Sequence, residues 1–110
     1  MRLPNAEQAE VDIRKLRDYC LSLEHPRGKH KARVFASAVG FGTDDAETLR
    51  AALLDAVRTL DASPSTIDAF GQRYVVDFTL DGPAGSAVIR SSWIIRMGDN
   101  TPRLVSCYVL

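Results

Sequence analysis

The apolar positions of the chain change period once, near residue 60, and that change separates a helical part from a strand-forming part. Ile13, Leu16, Tyr19, Cys20 and Leu23 recur at helical spacing behind an Asp12 able to cap the segment, and predict a helix over 12–22. His25-Pro26-Arg27-Gly28 stops it, because proline disfavours a helical residue before it and glycine permits a turn. Ala32, Phe35 and Val39 line one side of a second helix over 29–39, and Gly40 suits the left-handed position that closes a helix. After a Phe41-Gly42 connector, Thr43 or Asp44 caps a third helix, and Asp44 and Glu47 have capping-box spacing. Its apolar face is Ala46, Leu49, Leu53, Ala56, Val57 and Leu60.

Beyond Leu60 the period shortens to two. Asp61-Ala62-Ser63-Pro64-Ser65 reads as a loop and 66–70 as a short edge strand. Over 72–80, Tyr74, Val76, Phe78 and Leu80 alternate with Arg73, Val75, Asp77 and Thr79. Asp81-Gly82-Pro83-Ala84-Gly85 is a hairpin loop. A long strand over 86–97 puts Ala87, Ile89, Trp93 and Ile95 on one face and Val88, Arg90, Ser92, Ile94 and Arg96 on the other. Gly98-Asp99-Asn100-Thr101-Pro102 turns the chain into a last strand over 103–110. Helices followed by hairpin-linked strands predict an α+β domain, with N-terminal helices packed on one face of an antiparallel β-meander of about four strands. At 110 residues, 1–110 forms a single domain.

Composition narrows the class without assigning a function. The 45% apolar and 25% charged fractions are those of a globular protein and set aside disordered and fibrous classes. No apolar run approaches the roughly 20 residues a membrane helix needs, and no apolar stretch follows Arg2. The expectation is a cytoplasmic protein with no signal peptide and no membrane partner. Fourteen basic and fourteen acidic residues leave zero net charge, which argues against coating nucleic acid by bulk attraction.

The charge is segregated, however. Residues 14–33 hold Arg14, Lys15, Arg17, Arg27, Lys29, Lys31 and Arg33 against Asp18 and Glu24, a local +5. Residues 44–81 carry −5, in part because Asp44, Asp45 and Glu47 suit the first turn of a helix. Cys20 and Cys107 form no ligand pattern with His25 or His30, and read as buried reduced thiols. No metal and no cofactor are expected, since the acidic residues are spread over helix starts and turns.

The densest polar cluster is His25-Pro26-Arg27-Gly28-Lys29-His30-Lys31-Ala32-Arg33. Lys29, His30 and Lys31 fall in the first turn of a helix just after a glycine, where free amides and cations can hold a phosphate. Histidine adds a group that moves protons near neutral pH. Together these are the chemical parts of a metal-free ribonuclease, although the same residues also describe an exposed basic turn in which His25 caps a helix end. The GxxxxGK[ST], GxGxxG and Gly-x-Ser-x-Gly signatures are absent. A second polar group, Arg90, Ser91, Ser92 and Trp93, lies on the long strand, where Arg90 could bind phosphate or pair with Asp77. Tyr108 can donate a proton or stack on a base. Arg90 and Ser91 should point to opposite faces unless a bulge intervenes.

The strings Leu3-Pro4-Asn5-Ala6, Ile13-x-Lys15-Leu16-x-Asp18-Tyr19, His25-Pro26-x-Gly28-x-His30-Lys31-Ala32-Arg33-Val34-Phe35, Val88-x-Arg90-Ser91-x-Trp93-Ile94 and Pro102-Arg103-Leu104-Val105-x-x-Tyr108 run through nearly the whole chain. In this order they resemble an uncharacterised bacterial family of small stand-alone proteins, with related domains at the C-termini of polymorphic toxins. The helices-then-meander order also resembles the barnase/EndoU/colicin/RelE-like ribonuclease fold. That resemblance implies catalytic roles for His25, His30, Lys31, Arg90, Ser91 and Tyr108, with Arg27, Lys29 and Arg33 on the RNA backbone.

Two functions follow as expectations. One is a metal-independent endoribonuclease of the toxin–antitoxin or bacterial-competition type, acting on RNA. The other is a non-catalytic interaction module of the immunity or adaptor type, binding a cognate antitoxin or another protein. Convergence of His25, Lys31 and Arg90 in one cleft would favour the enzyme, and divergence the module. Open sheet edges are the only hint of an oligomer.

Overall fold

A computed structural model describes residues 1–110. Three helices precede a four-stranded antiparallel sheet in the order β1-β2-β3-β4, the predicted α+β meander. The strands are β1 (Ser63–Asp68), β2 (Gly71–Gly82), β3 (Gly85–Arg96) and β4 (Pro102–Val109). Helix α2 (Lys29–Val39) packs on β3 and β4, and α3 (Ala46–Thr59) packs on β2. Trp93, Phe35, Leu16, Leu49, Leu53, Ile89 and Leu104 are fully buried between the layers. The opposite sheet face is open to solvent, with Asp77, Thr79 and Val88 exposed on it. No helix is long and apolar enough to cross a membrane.

Helix α1 begins at Ile13 as expected, with the Asp12 carboxylate accepting the Arg14 N–H at 3.0 Å. After Ile13–Lys15 it widens into a π turn over Leu16–Cys20, closed by the Leu21 N–H on the Leu16 carbonyl at 2.8 Å. The wider turn shifts the phase of the buried stripe. Leu16, Cys20 and Leu21 are buried, while Leu23, expected on that stripe, is exposed and lies beyond the helix.

Helix α2 has the expected ends, and Gly40 closes it at φ 77°. A 3-10 turn over Thr43–Asp45 leads into α3. There the Asp45 carboxylate accepts the Gly42 N–H at 2.8 Å and the Asp45 N–H donates to the Gly42 carbonyl, a reciprocal cap two residues before the expected Asp44–Glu47 pair. Leu60 has left the helix in an extended conformation and is exposed rather than on the apolar face.

In the sheet, β1 starts at Ser63, inside the segment read as a loop, and Ala69-Phe70 form the two-residue turn into β2. Pro64 is accommodated because β1 is an edge strand with one unpaired side. Strand β4 carries a bulge. Ser92 pairs with Ser106 but Trp93 with Leu104, so Val105 is an extra residue. Leu104 and Cys107, three positions apart, are therefore both buried.

Residues before α1, unassigned by periodicity, also belong to the core. Leu3, Ala6, Ala9 and Val11 are buried. Glu10 bridges β4 in parallel, its N–H on the Pro102 carbonyl at 2.9 Å and its carbonyl on the Leu104 N–H at 3.0 Å.

Candidate functional site

The loop between α1 and α2 is held by His25 and Gly28. His25 Nδ1 accepts the backbone N–H groups of Arg27 and Gly28, each at 3.0 Å. That leaves the proton of the neutral ring on Nε2, so His25 presents a donor. Its ring stands edge-on to Tyr19, with centroids 4.7 Å apart. Gly28 is required by contact rather than by conformation: a Cβ there would lie 2.1 Å from the Tyr19 carbonyl oxygen.

Lys31, in the first turn of α2, lines the resulting cleft. Its Nζ donates to Tyr19 Oη at 3.3 Å and to Ser106 Oγ at 3.1 Å. Two of its three hydrogens are thereby committed, leaving the third, together with the Tyr19 hydroxyl hydrogen, to donate to an incoming anion. The ammonium also lies 4.8 Å from the Tyr19 ring centroid and 6.0 Å from that of Tyr108, within cation–π range. Ser106 reaches Lys31 because of the β4 bulge, which brings its side chain round to the helix side of the strand. Below it, Cys20 Sγ lies 3.8 Å from Ser106 Oγ. Hydrogen bonding from Cys107 pulls the Cys20 thiol below its ordinary range against the effect of burial, with smaller help from Ser106 and the Lys31 charge.

The cleft, about 650 Å³, is lined by Tyr19, His25, Lys31, Val105 and Ser106 and by Arg14, Lys15 and the carboxylates of Asp12 and Asp18, which are paired with Arg14 and Arg17. Lys31 also lines a shallow groove of about 340 Å³ with His30, Val34, Tyr108 and Val109. The two depressions therefore meet over one ammonium group. Arg27, Lys29, Lys31 and Arg33 have no carboxylate within 4.0 Å, whereas Arg14, Arg17, Arg50, Arg73, Arg90 and Arg103 all do. Part of the positive charge of the basic segment is thus left uncompensated by ion pairs.

The structure brings His25 and Lys31 into one cleft and places His30 and Tyr108 in the groove beside it. Arg90 and Ser91 are elsewhere, so of the three side chains whose convergence would favour an enzyme only His25 and Lys31 share a cleft, and the position of Arg90 counts toward the module. Arg90 lies on the open sheet face and grips Asp77 with two hydrogen bonds, at 2.9 and 2.8 Å. That pairing holds the Asp77 carboxyl below its usual range and raises the guanidinium, with Tyr108 alongside as the cross-strand neighbour. Ser91 is fully buried, donating to the Val76 carbonyl at 2.6 Å and accepting from Trp93 Nε1 at 2.9 Å. As β-strand alternation requires, the two point to opposite faces, and the bulge lies in the partner strand.

The family-wide sequence profile described as a domain of unknown function (DUF6883) matches residues 2–110. The chain belongs to that family. A comparison with characterised proteins finds no match. Family membership thus accounts for the whole chain without supplying a chemistry, and the site must be read from its own residues. Tyr19 and Ser106 are the two site residues that sequence reasoning missed. Tyr19 sits on the apolar stripe and reads as core, while Ser106 needs the bulge to face the helices. No group of three or more His, Cys, Asp or Glu side chains comes together as a metal-ligand set.

Proposed function

We propose that the protein is a metal-independent endoribonuclease of the toxin type. The observation that carries this reading is Lys31: an ammonium flanked by two hydroxyls and two aromatic rings, with no carboxylate within 4.0 Å. Such a site suits a phosphodiester with an adjacent base, the phosphate on Lys31 and the base against Tyr108. The resemblance to toxin C-terminal domains and to ribonucleases with the same order of elements supports the same substrate.

In this reaction the ribose 2′-oxygen attacks phosphorus, a P–O2′ bond forms and the P–O5′ bond breaks. The products are a 2′,3′-cyclic phosphate and a free 5′-hydroxyl. His30, in the groove beside Lys31, takes the 2′-hydroxyl proton, and the Lys31 ammonium gives one to the departing 5′-oxygen. The Tyr19 hydroxyl and His25 Nε2–H donate to the non-bridging oxygens as charge builds. Arg27, Lys29 and Arg33 hold flanking backbone. Arg90, bound to Asp77, and Ser91, inside the core, have no part in it.

Purified protein incubated with total RNA and tRNA in EDTA should produce fragments ending in cyclic phosphate. Lys31→Ala and Tyr19→Phe should lose most of this activity while keeping the wild-type circular dichroism spectrum, and Arg90→Ala should retain it. Intact RNA under all conditions would overturn the proposal.

One observation favours a second reading, the non-catalytic module that binds a cognate antitoxin or another protein. Ile67, Phe70 and Met97 are 69%, 71% and 67% exposed, and the Met97 N–H bonds to the Phe70 carbonyl at 2.9 Å, so an apolar patch gathers at one end of the sheet. Inactivity toward RNA, with a stoichiometric complex recovered from the native host and lost in Phe70→Asp, would favour the module.

A further inference from the structure

A second cleft, about 510 Å³, opens where the N-terminal arm, α3 and the β3–β4 end meet. Four cations line it, Lys15, Arg50, Arg96 and Arg103, against the two carboxylates of Glu10 and Asp12. Both carboxylates are already engaged, Asp12 by Arg14 at 2.8 Å and Glu10 by Arg103. The cations are less completely satisfied. Arg103 reaches Glu10 and, at 3.5 Å, Asp99, but its Nε is buried with no acceptor. Arg50 donates Nε to the Val11 carbonyl at 3.1 Å, and its nearest carboxylate, Glu47, is 3.9 Å away. Arg96 is exposed and makes no ion pair. A buried guanidinium N–H without an acceptor is costly, and an anionic oxygen in the cleft would add acceptors for the exposed Arg96 and for the incompletely satisfied Arg50 and Arg103 guanidinium groups.

This cleft adjoins the Lys31 cleft, since Asp12 and Lys15 line both. Lys15 stands at the junction, its Nζ donating to the Leu104 carbonyl at 2.9 Å with two hydrogens left over. A run of cations therefore extends from Lys31 through Lys15 to Arg96 and Arg103. We infer that the Arg96–Arg103 cleft is a second phosphate subsite, which binds the backbone of the same RNA strand beyond the nucleotide held at Lys31. The inference rests on the ribonuclease reading for the identity of its ligand. It adds a requirement that reading lacks: substrates must extend past the scissile phosphate to be held well.

Binding is separable from cleavage with 2′-O-methyl oligoribonucleotides, which lack the attacking hydroxyl. Fluorescence anisotropy should show a labelled octanucleotide binding more tightly than a dinucleotide and with a steeper salt dependence. Arg96→Ala should abolish most of that length advantage and reduce the slope of log K against log salt by about 0.7, one phosphate's share on a single strand. It should leave dinucleotide binding unchanged. Arg96→Lys should restore part of the loss. Arg58→Ala, which removes an exposed, unpaired cation from α3 outside both clefts, is the control. The Nε–Hε resonance of Arg103 should shift with the octanucleotide and not with the dinucleotide.

If RNA is cleaved and the octanucleotide binds, but Arg96→Ala behaves like Arg58→Ala or the Arg103 resonance stays in place at saturation, the subsite is refuted and the ribonuclease survives. If Arg96-dependent octanucleotide binding occurs while unmodified RNA stays intact, the subsite stands and the ribonuclease falls. Failure of the wild type to bind either oligonucleotide overturns both. Arg96-dependent binding of poly-glutamate in place of the octanucleotide would also refute the RNA subsite, assigning the cleft to an acidic protein segment.

Discussion

Ser91→Ala separates a structural role from a catalytic one at a residue whose sequence context suggests catalysis. In the wild type the Ser91 hydroxyl donates to the Val76 carbonyl at 2.6 Å and accepts from Trp93 Nε1 at 2.9 Å, and all three residues are fully buried. Alanine removes the hydroxyl and leaves the indole N–H in the core without an acceptor. The lost hydrogen bond costs about 1 kcal/mol and the stranded donor about 1–3 kcal/mol, so the expected destabilisation is roughly 2–4 kcal/mol. With an unfolding entropy of about 2.1 cal/mol/K per residue, a chain of 110 residues loses about 4 °C of Tm per kcal/mol. Ser91→Ala should therefore melt roughly 8–16 °C below the wild type. Trp93 is the only tryptophan, so its fluorescence in urea titrations reports the affected site directly. RNA cleavage measured well below the melting temperature should be unchanged. A variant with wild-type Tm, or one that melts normally but cleaves nothing, would refute this account of Ser91.

Two further perturbations test other parts of the structure. Gly28→Ala, by driving a Cβ to 2.1 Å from the Tyr19 carbonyl oxygen, should cost about 2–3 kcal/mol and displace the loop that carries His25, which thermal melts and the RNA assay would both register. A normal Tm would show that the loop yields freely. The pH dependence should be acidic. Hydrogen bonding from Arg14 holds Asp12 at about 2, and Asp18, Asp68, Asp77 and Asp99 are held below 3.8 chiefly by Arg17, the Phe70 N–H, Arg90 and the Thr101 N–H respectively. Folded, these groups bind fewer protons than unfolded, so their stabilisation is complete above the unfolded value and disappears as pH falls through each folded one. Tm should change little on account of these groups above pH ~5 and decline below pH ~4, and a Tm that rises with acid there would contradict the pairings.

Features governed by near neighbours in sequence were the ones legible from it. Helix α2 has its expected ends because a Pro–Gly turn precedes it and a glycine free to adopt φ 77° follows it. The alternation of Tyr74, Val76, Phe78 and Leu80 identifies the inward face of β2 because strand geometry admits no other period. The misreadings have long-range causes. Leu23 lies off the buried stripe because a π turn, with an extra residue in its ring, shifts the phase of α1. Strand β1 begins early because an edge position tolerates Pro64. The N-terminal arm shows no periodicity, since β4 supplies the partner for its backbone.

The candidate site divides in the same way. The sequence alone determined the basic character of 27–33, the placing of His25 beside a turn and of Lys31 in the first turn of a helix, and the order of helices and strands. Only the tertiary structure decided which of those cations stay unpaired. Asp77 reaches Arg90 across a strand pair, while Asp12 and Asp18, in the same cleft as Lys31, pair with Arg14 and Arg17 and come no nearer than 4.0 Å to its ammonium. It alone brought Tyr19 and Ser106 to that ammonium, because a π turn and a bulge override the local periods that would place them elsewhere. It also put Ser91 inside the core. Composition reports how much charge and polarity a chain has, but pairing is a matter of distance, and those distances are set by segments far apart in sequence.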